Sequence, residues 1–183
     1  MPPKAKYTKE QIIDAAYEMV RKYGEDMLSA RNLAAELSTS TSPIFAVFNS
    51  IEEVQKSVRA KALELYKSYL DEGLSQDPAF KGAGIKYIQF AKDEPELFKL
   101  LFMKSGVDEP TSYLPAHFEF EGQVRGALKE THKMNDPDSM RIYNHLSVYT
   151  HGLAVLFAQG NCIFSDEDVN NMLSEVFFAL KKE

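Results

Sequence analysis

The spacing of apolar residues along the chain most constrains what this sequence can fold into. Thr8 and Gln11 are spaced as a capping box, in which two side chains bond free backbone amides at a helix start. Apolar residues then recur every three or four positions until Gly24, a residue type that commonly ends helices. No later segment alternates polar and apolar residues with a period of two. The pattern therefore predicts an all-α protein.

Three more helix starts follow within a short stretch of sequence. Ser29 is suited to cap one short helix, and Ser40 a second, with Pro43 in its first turn, where a missing amide costs nothing. Ser50 and Glu53 form another capping box, which opens a long helix. Three short helices, of which the second and third flank a tight polar turn, have the sequence form of a helix-turn-helix, although any small helical bundle shows similar spacing.

The rest of the chain keeps the helical pattern, with breaks at proline-rich and polar stretches. We expect helices near 78–92, 95–104, 114–133, 137–160 and 166–181, with Asp136 or Asp138 and Ser165 as N-caps of the last two. The prediction is about nine helices in two domains. An N-terminal three-helix domain covers 1–50, and a C-terminal helical bundle covers 51–183.

Composition excludes several classes of protein. Cys162 is the only cysteine, so neither an intrachain disulfide nor a cysteine-built zinc site can form within one chain. The formal net charge of −6 argues against a non-specific nucleic-acid coat protein. No apolar run approaches the roughly 20 residues that a membrane span needs, and no signal peptide is evident, so we expect a cytoplasmic protein.

The residues of the polar turn and its flanks resemble the signature of the TetR family of transcriptional regulators. Leu33-Ala34-Ala35-Glu36-Leu37 and the following 38–54 align without a gap to its Leu-Gly-Val-Ser, Leu-Tyr-x-x-Phe and Lys-Glu-Glu-Leu elements. The resemblance implies a homodimer that binds operator DNA and responds to a ligand, most often as a repressor. The DNA-binding residues that it implies are Ser29, Ser40, Thr41, Ser42, Phe45, Ala46 and Asn49, and positive charge adds Lys6 of a basic N-terminal arm and Arg31 as candidate phosphate contacts.

This sequence departs from that family at three positions. Phe45 replaces a tyrosine, Ile51 replaces a lysine and Ser38 replaces a glycine in the turn. Residues 1–55 hold six basic and eight acidic side chains, a net charge of −2, which is a poor electrostatic footprint for DNA. We therefore expect weak or highly selective DNA binding, with Arg31 as the best charged contact. The alternative is an interaction or ligand-binding module that has lost DNA binding.

The C-terminal part contains the remaining candidate sites. Aromatic residues cluster between the fifth and seventh helices, mostly as core, and some can line a cavity for a small apolar or amphipathic effector. The predicted pocket residues are Phe98, Phe102, Tyr113, Phe118, His145 and Tyr149. The last two helices carry more apolar surface than one packing face requires, so we expect a homodimer interface at Leu153, Leu156, Phe157, Leu173, Val176 and Phe177.

The sequence gives little indication of a metal-binding, redox or catalytic site. His117 and Glu121 have the spacing of metal ligands on a helix, but such a pair is commonly a solvated surface contact. Cys162 has no neighbouring cation in the sequence to activate its thiol. Neither a glycine-rich phosphate loop nor a nucleophile elbow is present. We therefore expect no catalytic residues, no metal and no cofactor, and hence not an enzyme.

Overall fold

A computed structural model describes the backbone of residues 7–103 and 115–181 and the side chains of 7–103 and 120–181. Within those ranges the protein contains nine α-helices, one 3₁₀ turn over Glu25–Met27 and no strand. The helices are α1 (Lys9–Tyr23), α2 (Ala30–Glu36), α3 (Ser42–Phe45), α4 (Ile51–Leu74), α5 (Ala79–Asp93), α6 (Pro95–Phe102), α7 (Pro115–His132), α8 (Asp136–Ala158) and α9 (Asp166–Lys181). The predicted all-α class is confirmed.

Both ends of α1 follow the predicted signals. The Thr8 hydroxyl accepts a bond from the Gln11 amide at 3.2 Å, and the Gln11 side chain accepts from the Thr8 amide at 2.9 Å. Gly24 ends the helix with a φ of 81°, and its amide donates to the Val20 carbonyl at 2.8 Å. A side chain at this φ would be strained, so glycine fits the position.

The turn between α2 and α3 is longer than predicted, because α3 begins one residue later than a cap at Ser40 implies. Ser29 caps α2 by accepting from the Asn32 amide at 3.2 Å. The prediction that Ser40 caps α3 is wrong, because α3 begins at Ser42 after Thr41, without a side-chain cap. Ser38 has a φ of 50°, the left-handed conformation for which a glycine would be the usual residue.

The start of α4 is joined to the start of α1. The Ser50 hydroxyl accepts from the Glu53 amide at 3.4 Å, as the capping box predicts. The Glu53 carboxylate accepts from the Asn49 backbone amide at 2.9 Å, one residue before the expected Ser50 amide. Glu53 also accepts from the Lys9 ammonium at 3.1 Å, which draws the first turns of α1 and α4 together.

Helices α4 and α5 pack closely where two glycines meet. A Cβ on Gly73 would lie 2.6 Å from the Gly82 carbonyl oxygen, and one on Gly82 would lie 2.1 Å from the Gly73 oxygen. Those distances are shorter than carbon and oxygen tolerate, so only glycine allows this approach. The pair sets the angle at which α5 returns against α4.

One buried apolar cluster runs from α1 to α9 through the inner face of α4. The bounds of the last five helices agree with the predicted ranges to within about two residues, the usual uncertainty of helix ends. Ser165 caps α9 as predicted by accepting from the Asp168 amide at 3.1 Å. The N-cap of α8 is Asn135, which accepts from the Asp138 amide at 2.8 Å, and neither predicted aspartate takes that place. None of the helices in the described ranges is long and apolar enough to span a membrane.

Candidate functional site

The α2–α3 segment has a buried face and a solvent face. Leu33, Ala34, Ile44 and Phe48 are buried against the core. The predicted DNA-reading residues lie on the other side. Ser40, Ser42, Phe45, Ala46 and Asn49 are exposed, and Thr41 is half-buried. The structure therefore brings these predicted residues together on one outward surface, here called the α3 surface.

Several predicted contacts on this surface already have intramolecular partners. The Ser29 hydroxyl accepts from the Asn32 amide, and the Asn49 side-chain amide donates to Glu53 at 3.0 Å. Phe45 is 45% exposed, so an apolar ring lies where a hydroxyl would be expected. Lys6 falls outside the described residues.

Charge on the N-terminal helices is largely neutralised in pairs. Lys9 is bound to Glu53, and Arg21 makes two bonds to Glu94. Arg31 is exposed and makes no ion pair with any residue that the structure describes. Arg31 is therefore an exposed cation on α2, and its role as the best charged contact with DNA stays a prediction.

Helix α6 is joined to the N-terminal helices at both ends. Glu94, buried at the junction of α5 and α6, accepts from Arg21 Nε at 2.7 Å and from Arg21 NH2 at 2.5 Å. The hydrogen bonds that Arg21 donates to Glu94 are the main reason that the pKa of Arg21 is raised above its ordinary value. At the other end, the Arg59 guanidinium of α4 donates to the carbonyls of Leu100 and Leu101 at 2.5 and 3.0 Å. These bonds satisfy carbonyls that the helix itself leaves free.

A cavity of about 210 Å³ lies among α4, α5, α7, α8 and α9. Its lining is mainly apolar, with hydroxyl groups and two basic side chains. The residues that line it are Tyr66, Leu70, Pro78, Phe80, Lys81, Ala83, Gly84, Tyr87, Phe120, Val124, His132, Tyr143, Leu146, Ser147, Thr150, Leu173, Ser174, Phe177 and Phe178. An apolar space with a few polar groups is the usual form of a small-molecule site.

Two buried hydroxyls in this cavity lack partners. Tyr66 is 3% exposed and Thr150 is 7% exposed, and neither hydroxyl bonds to any residue in the described ranges. Burial raises the pKa of Tyr66, with a further contribution from nearby Tyr143. Both groups are therefore neutral donors, and leaving such a group unsatisfied costs about 1–3 kcal/mol.

The third phenol of the cavity, Tyr87, is hydrogen-bonded. Its hydroxyl lies 2.9 Å from Nδ1 of His151, whose pKa is lowered by burial. Burial, and to a lesser extent Tyr66 and Tyr143, raise the pKa of Tyr87. This polar pair joins α5 to α8 beside the cavity.

The four predicted pocket residues whose side chains the structure describes, Phe98, Phe102, His145 and Tyr149, do not line the cavity. The rings of Phe98 and Phe102 are buried behind Tyr87, with the Phe102 ring centroid 5.0 Å from that of Tyr87. His145 is exposed and Tyr149 is half-buried on α8. Tyr113 and the side chain of Phe118 fall outside the described residues. Sequence reasoning missed Tyr66, Tyr143 and Thr150, whose signal was a lone hydroxyl on an apolar helix face.

The predicted interface residues are divided between the interior and the surface. Leu153 and Leu173 are buried within the chain, and Leu173 and Phe177 line the cavity. Phe157 and Val176 are half-buried, and Leu156 is 39% exposed. The apolar side chains most open to solvent on α8 and α9 are Val148, at 71%, and Phe178, at 59%.

Within the described ranges no cluster of three or more histidine, cysteine or acidic residues could hold a metal ion. The side chain of His117, one of the two sequence candidates, lies outside those ranges. Cys162 is half-buried and is not in a disulfide.

The arrangement of helices is similar to that of a solved protein described as a TetR-like transcriptional regulator from Rhodococcus sp. RHA1. The TM-score is 0.71 and the sequences are 14% identical, with 96% of each chain covered. No model of a known protein family matches the sequence, and no curated protein matches it. The chain therefore has a TetR-like fold, which confirms the resemblance at the level of architecture.

Proposed function

We propose that this protein is a cytoplasmic, DNA-binding transcriptional regulator that acts as a homodimer and responds to a small ligand. The observation that carries the proposal is the α3 surface. Small polar side chains stand outward on a short helix whose other face is buried, within a fold that matches a TetR-like regulator over 96% of the chain. A helix of this kind reads base edges in the major groove.

The acidity of the N-terminal helices is compatible with this role. Glu53, the carboxylate that contacts Asn49 of the α3 surface, accepts hydrogen bonds from both Lys9 and Asn49. Charges elsewhere on the protein are screened beyond about 10 Å at 0.1 M salt. Backbone amides at the start of α4 and the free Arg31 can contact phosphates, because helix N-termini attract anions.

We propose that the dimer forms through α8 and α9. His145, Val148, Gly152 and Leu156 follow one another at helical spacing on the exposed side of α8. A Cβ on Gly152 would meet nothing within 4 Å, so this face has room for a close approach by a second helix. Phe178 of α9 adds to the exposed apolar surface, which is the usual mark of an interface.

Ligand response would use the contacts of α4. Tyr66 and Leu70 of α4 line the cavity, and the same helix begins directly after the α3 surface. A ligand that displaces Tyr66 would therefore move α4 and alter the separation of the two reading helices in the dimer. Adjacent major grooves are about 34 Å apart, so a shift of a few ångströms would release the operator, as in a repressor.

The test is fluorescence anisotropy on DNA from upstream of the protein's own gene, with salt titration and unrelated competitor DNA. Selective binding that weakens as salt rises is expected. Ala46→Glu should weaken it about tenfold or more by placing a carboxylate against DNA. Gln123→Glu, which adds the same charge at an exposed position of α7, should bind like the unaltered protein.

The second candidate is an interaction module with DNA binding lost. It is favoured by the exposed Phe45 ring and by the exposed Tyr23 and Met27 side chains on the same N-terminal helices. This candidate predicts no selective DNA binding at any salt concentration, and equal behaviour of Ala46→Glu and the unaltered protein. We do not propose a catalytic activity, because the fold match is to a regulator and the cavity suits binding.

A further inference from the structure

The cavity has two chemically different ends. At one end, Tyr66 and Thr150 present hydroxyls that have no hydrogen-bond partner among the described residues, near the Tyr87–His151 pair. Phe80 and Phe177 line the other end, where both pack against the buried cluster of Leu128, Ile142, Tyr143 and Leu146, and the His132 ring centroid lies 4.6 Å from that of Phe177. Lys81 directly follows Phe80 in the first turn of α5 and also lines the cavity. One end therefore offers neutral donors and the other end offers the Lys81 ammonium group, whereas burial and Lys181 lower the pKa of His132 and favour its neutral form.

The basic end has further features that favour an anion. Helix α5 begins after Pro78, which provides no side-chain cap, and Pro78, Phe80 and Lys81 of this first turn line the cavity. Helix N-termini carry a partial positive charge. Lys81 makes no ion pair with any described residue, and no aspartate or glutamate belongs to the described lining. Glu121, which is close to Tyr143, lies outside the lining and pairs with Arg125 at 4.0 Å.

The volume sets the size of the ligand. An engineered cavity of about 150 Å³ binds benzene. A cavity of about 210 Å³ therefore accommodates one ring with a short substituent, roughly 8–12 non-hydrogen atoms. The apolar walls exclude a strongly hydrated body, because burying unpaired polar groups is costly.

We propose that the cavity binds a small aromatic organic acid, with its carboxylate at Lys81 and the start of α5, and with a second oxygen at the Tyr66 and Thr150 hydroxyls. Lys81 and the α5 amides neutralise the carboxylate, and the ring fills the apolar middle. The second oxygen accepts the hydrogen bonds that Tyr66 and Thr150 otherwise lack. The inference rests on the proposed function only in taking this cavity as the ligand site.

The test is isothermal titration calorimetry on the full chain without DNA, so it succeeds or fails independently of operator binding. The probes are phenylpropanoate, its para-hydroxy derivative, its methyl ester and phenylpropylamine. We expect both acids to bind about tenfold or more tightly than the ester and the amine, because charge-assisted hydrogen bonds are the strong ones. The para-hydroxy acid should bind more tightly than the plain acid. Equal binding of acid and amine, or no binding of either acid at millimolar concentration, overturns the proposal.

Two variants locate the groups. Lys81→Met should weaken both acids about tenfold and leave the ester unchanged, whereas Lys67→Met, on the exposed side of α4, should alter neither. Tyr66→Phe should remove most of the preference for the para-hydroxy acid, about three- to tenfold, and leave the plain acid unaffected. If Lys81→Met binds the acids as tightly as the unaltered protein, the carboxylate is not held at α5 and the proposal is wrong. Circular dichroism of each variant checks that it is folded.

Discussion

Arg21 of α1 and Glu94 at the start of α6 form a two-bond ion pair between residues 73 positions apart in the chain. Glu94 is buried, whereas Arg21 is partly open to solvent. A buried carboxylate that loses its partner is unstable because its hydration is not restored. The pair therefore adds a specific polar contact to the apolar packing that holds α1 against the C-terminal helices.

Arg21→Met should lower the free energy of unfolding by about 1–3 kcal/mol, because Glu94 would stay buried without its donors. Denaturation by urea measures the change. Arg31→Met, in which an exposed and unpaired arginine is replaced, should change it by less than about 0.5 kcal/mol. Equal effects of the two substitutions would show that the ion pair does not stabilise the fold.

Gly73→Ala and Gly82→Ala should each destabilise the protein by about 2 kcal/mol or more, because the new Cβ overlaps a carbonyl of the facing helix. Gly126→Ala in α7 is the matched control, since nothing lies within 4 Å of its added Cβ. That control should gain up to about 1 kcal/mol from helix propensity. A tolerated alanine at position 73 would mean that α4 and α5 are farther apart.

Gly84→Ala should raise the melting temperature and weaken ligand binding. Its added Cβ would lie 3.9–4.0 Å from Leu173 and Thr150, an ordinary contact, so the helix gains about 0.5–1 kcal/mol without strain. The same methyl group takes space from the cavity that Gly84 lines. Differential scanning calorimetry and ligand titration report the two effects. Unchanged affinity would place the ligand away from Gly84.

Acidification should destabilise the protein as the pH falls through 6.5, the ordinary histidine pKa. Burial lowers the pKa of His151, and burial together with Lys181 lowers that of His132. The unfolded chain then binds more protons than the folded chain, so stability is complete above pH 6.5 and falls below it. Urea denaturation between pH 7 and 5 should show a smaller loss of unfolding free energy with falling pH in the double variant His132→Gln/His151→Gln than in the unaltered protein. His145→Gln, at an exposed site, is the control.

Val148→Asp and Leu156→Asp should each convert the homodimer to a monomer, because a carboxylate would be buried at the centre of the α8 face. Sedimentation velocity measures the state. Met27→Asp introduces the same charge at an exposed apolar residue that is distant in sequence from α8, and this variant should remain dimeric. A dimer that survives both α8 substitutions would require a different interface.

Local signals in the sequence were sufficient to predict the helices. The predicted N-caps Thr8, Ser29 and Ser165 and the predicted helix end at Gly24 are all present, because capping depends on neighbours within three or four residues. Asn135 was missed because three adjacent polar residues could each cap α8. The local chemistry predicted that a helix began there but left its first residue open.

The cavity and the exposed α8 face could not be predicted in the same way. Apolar residues occur on several sides of α8, so spacing alone did not distinguish buried Leu153 from exposed Val148. Aromatic density pointed to Phe98 and Phe102, which fill the core behind the cavity. Where empty space remains depends on how five helices meet, which is a property of packing between distant segments.

The bonds at the two ends of α6 have a mechanical consequence. A helix of eight residues is about 12 Å long and resists bending, so it acts as a rigid bar between Arg21 of α1 and Arg59 of α4. If either α1 or α4 shifts, α6 transmits the displacement to the other helix, or the hydrogen bonds at one end of α6 must break. The bonds at its two ends therefore couple the positions of α1 and α4 through α6.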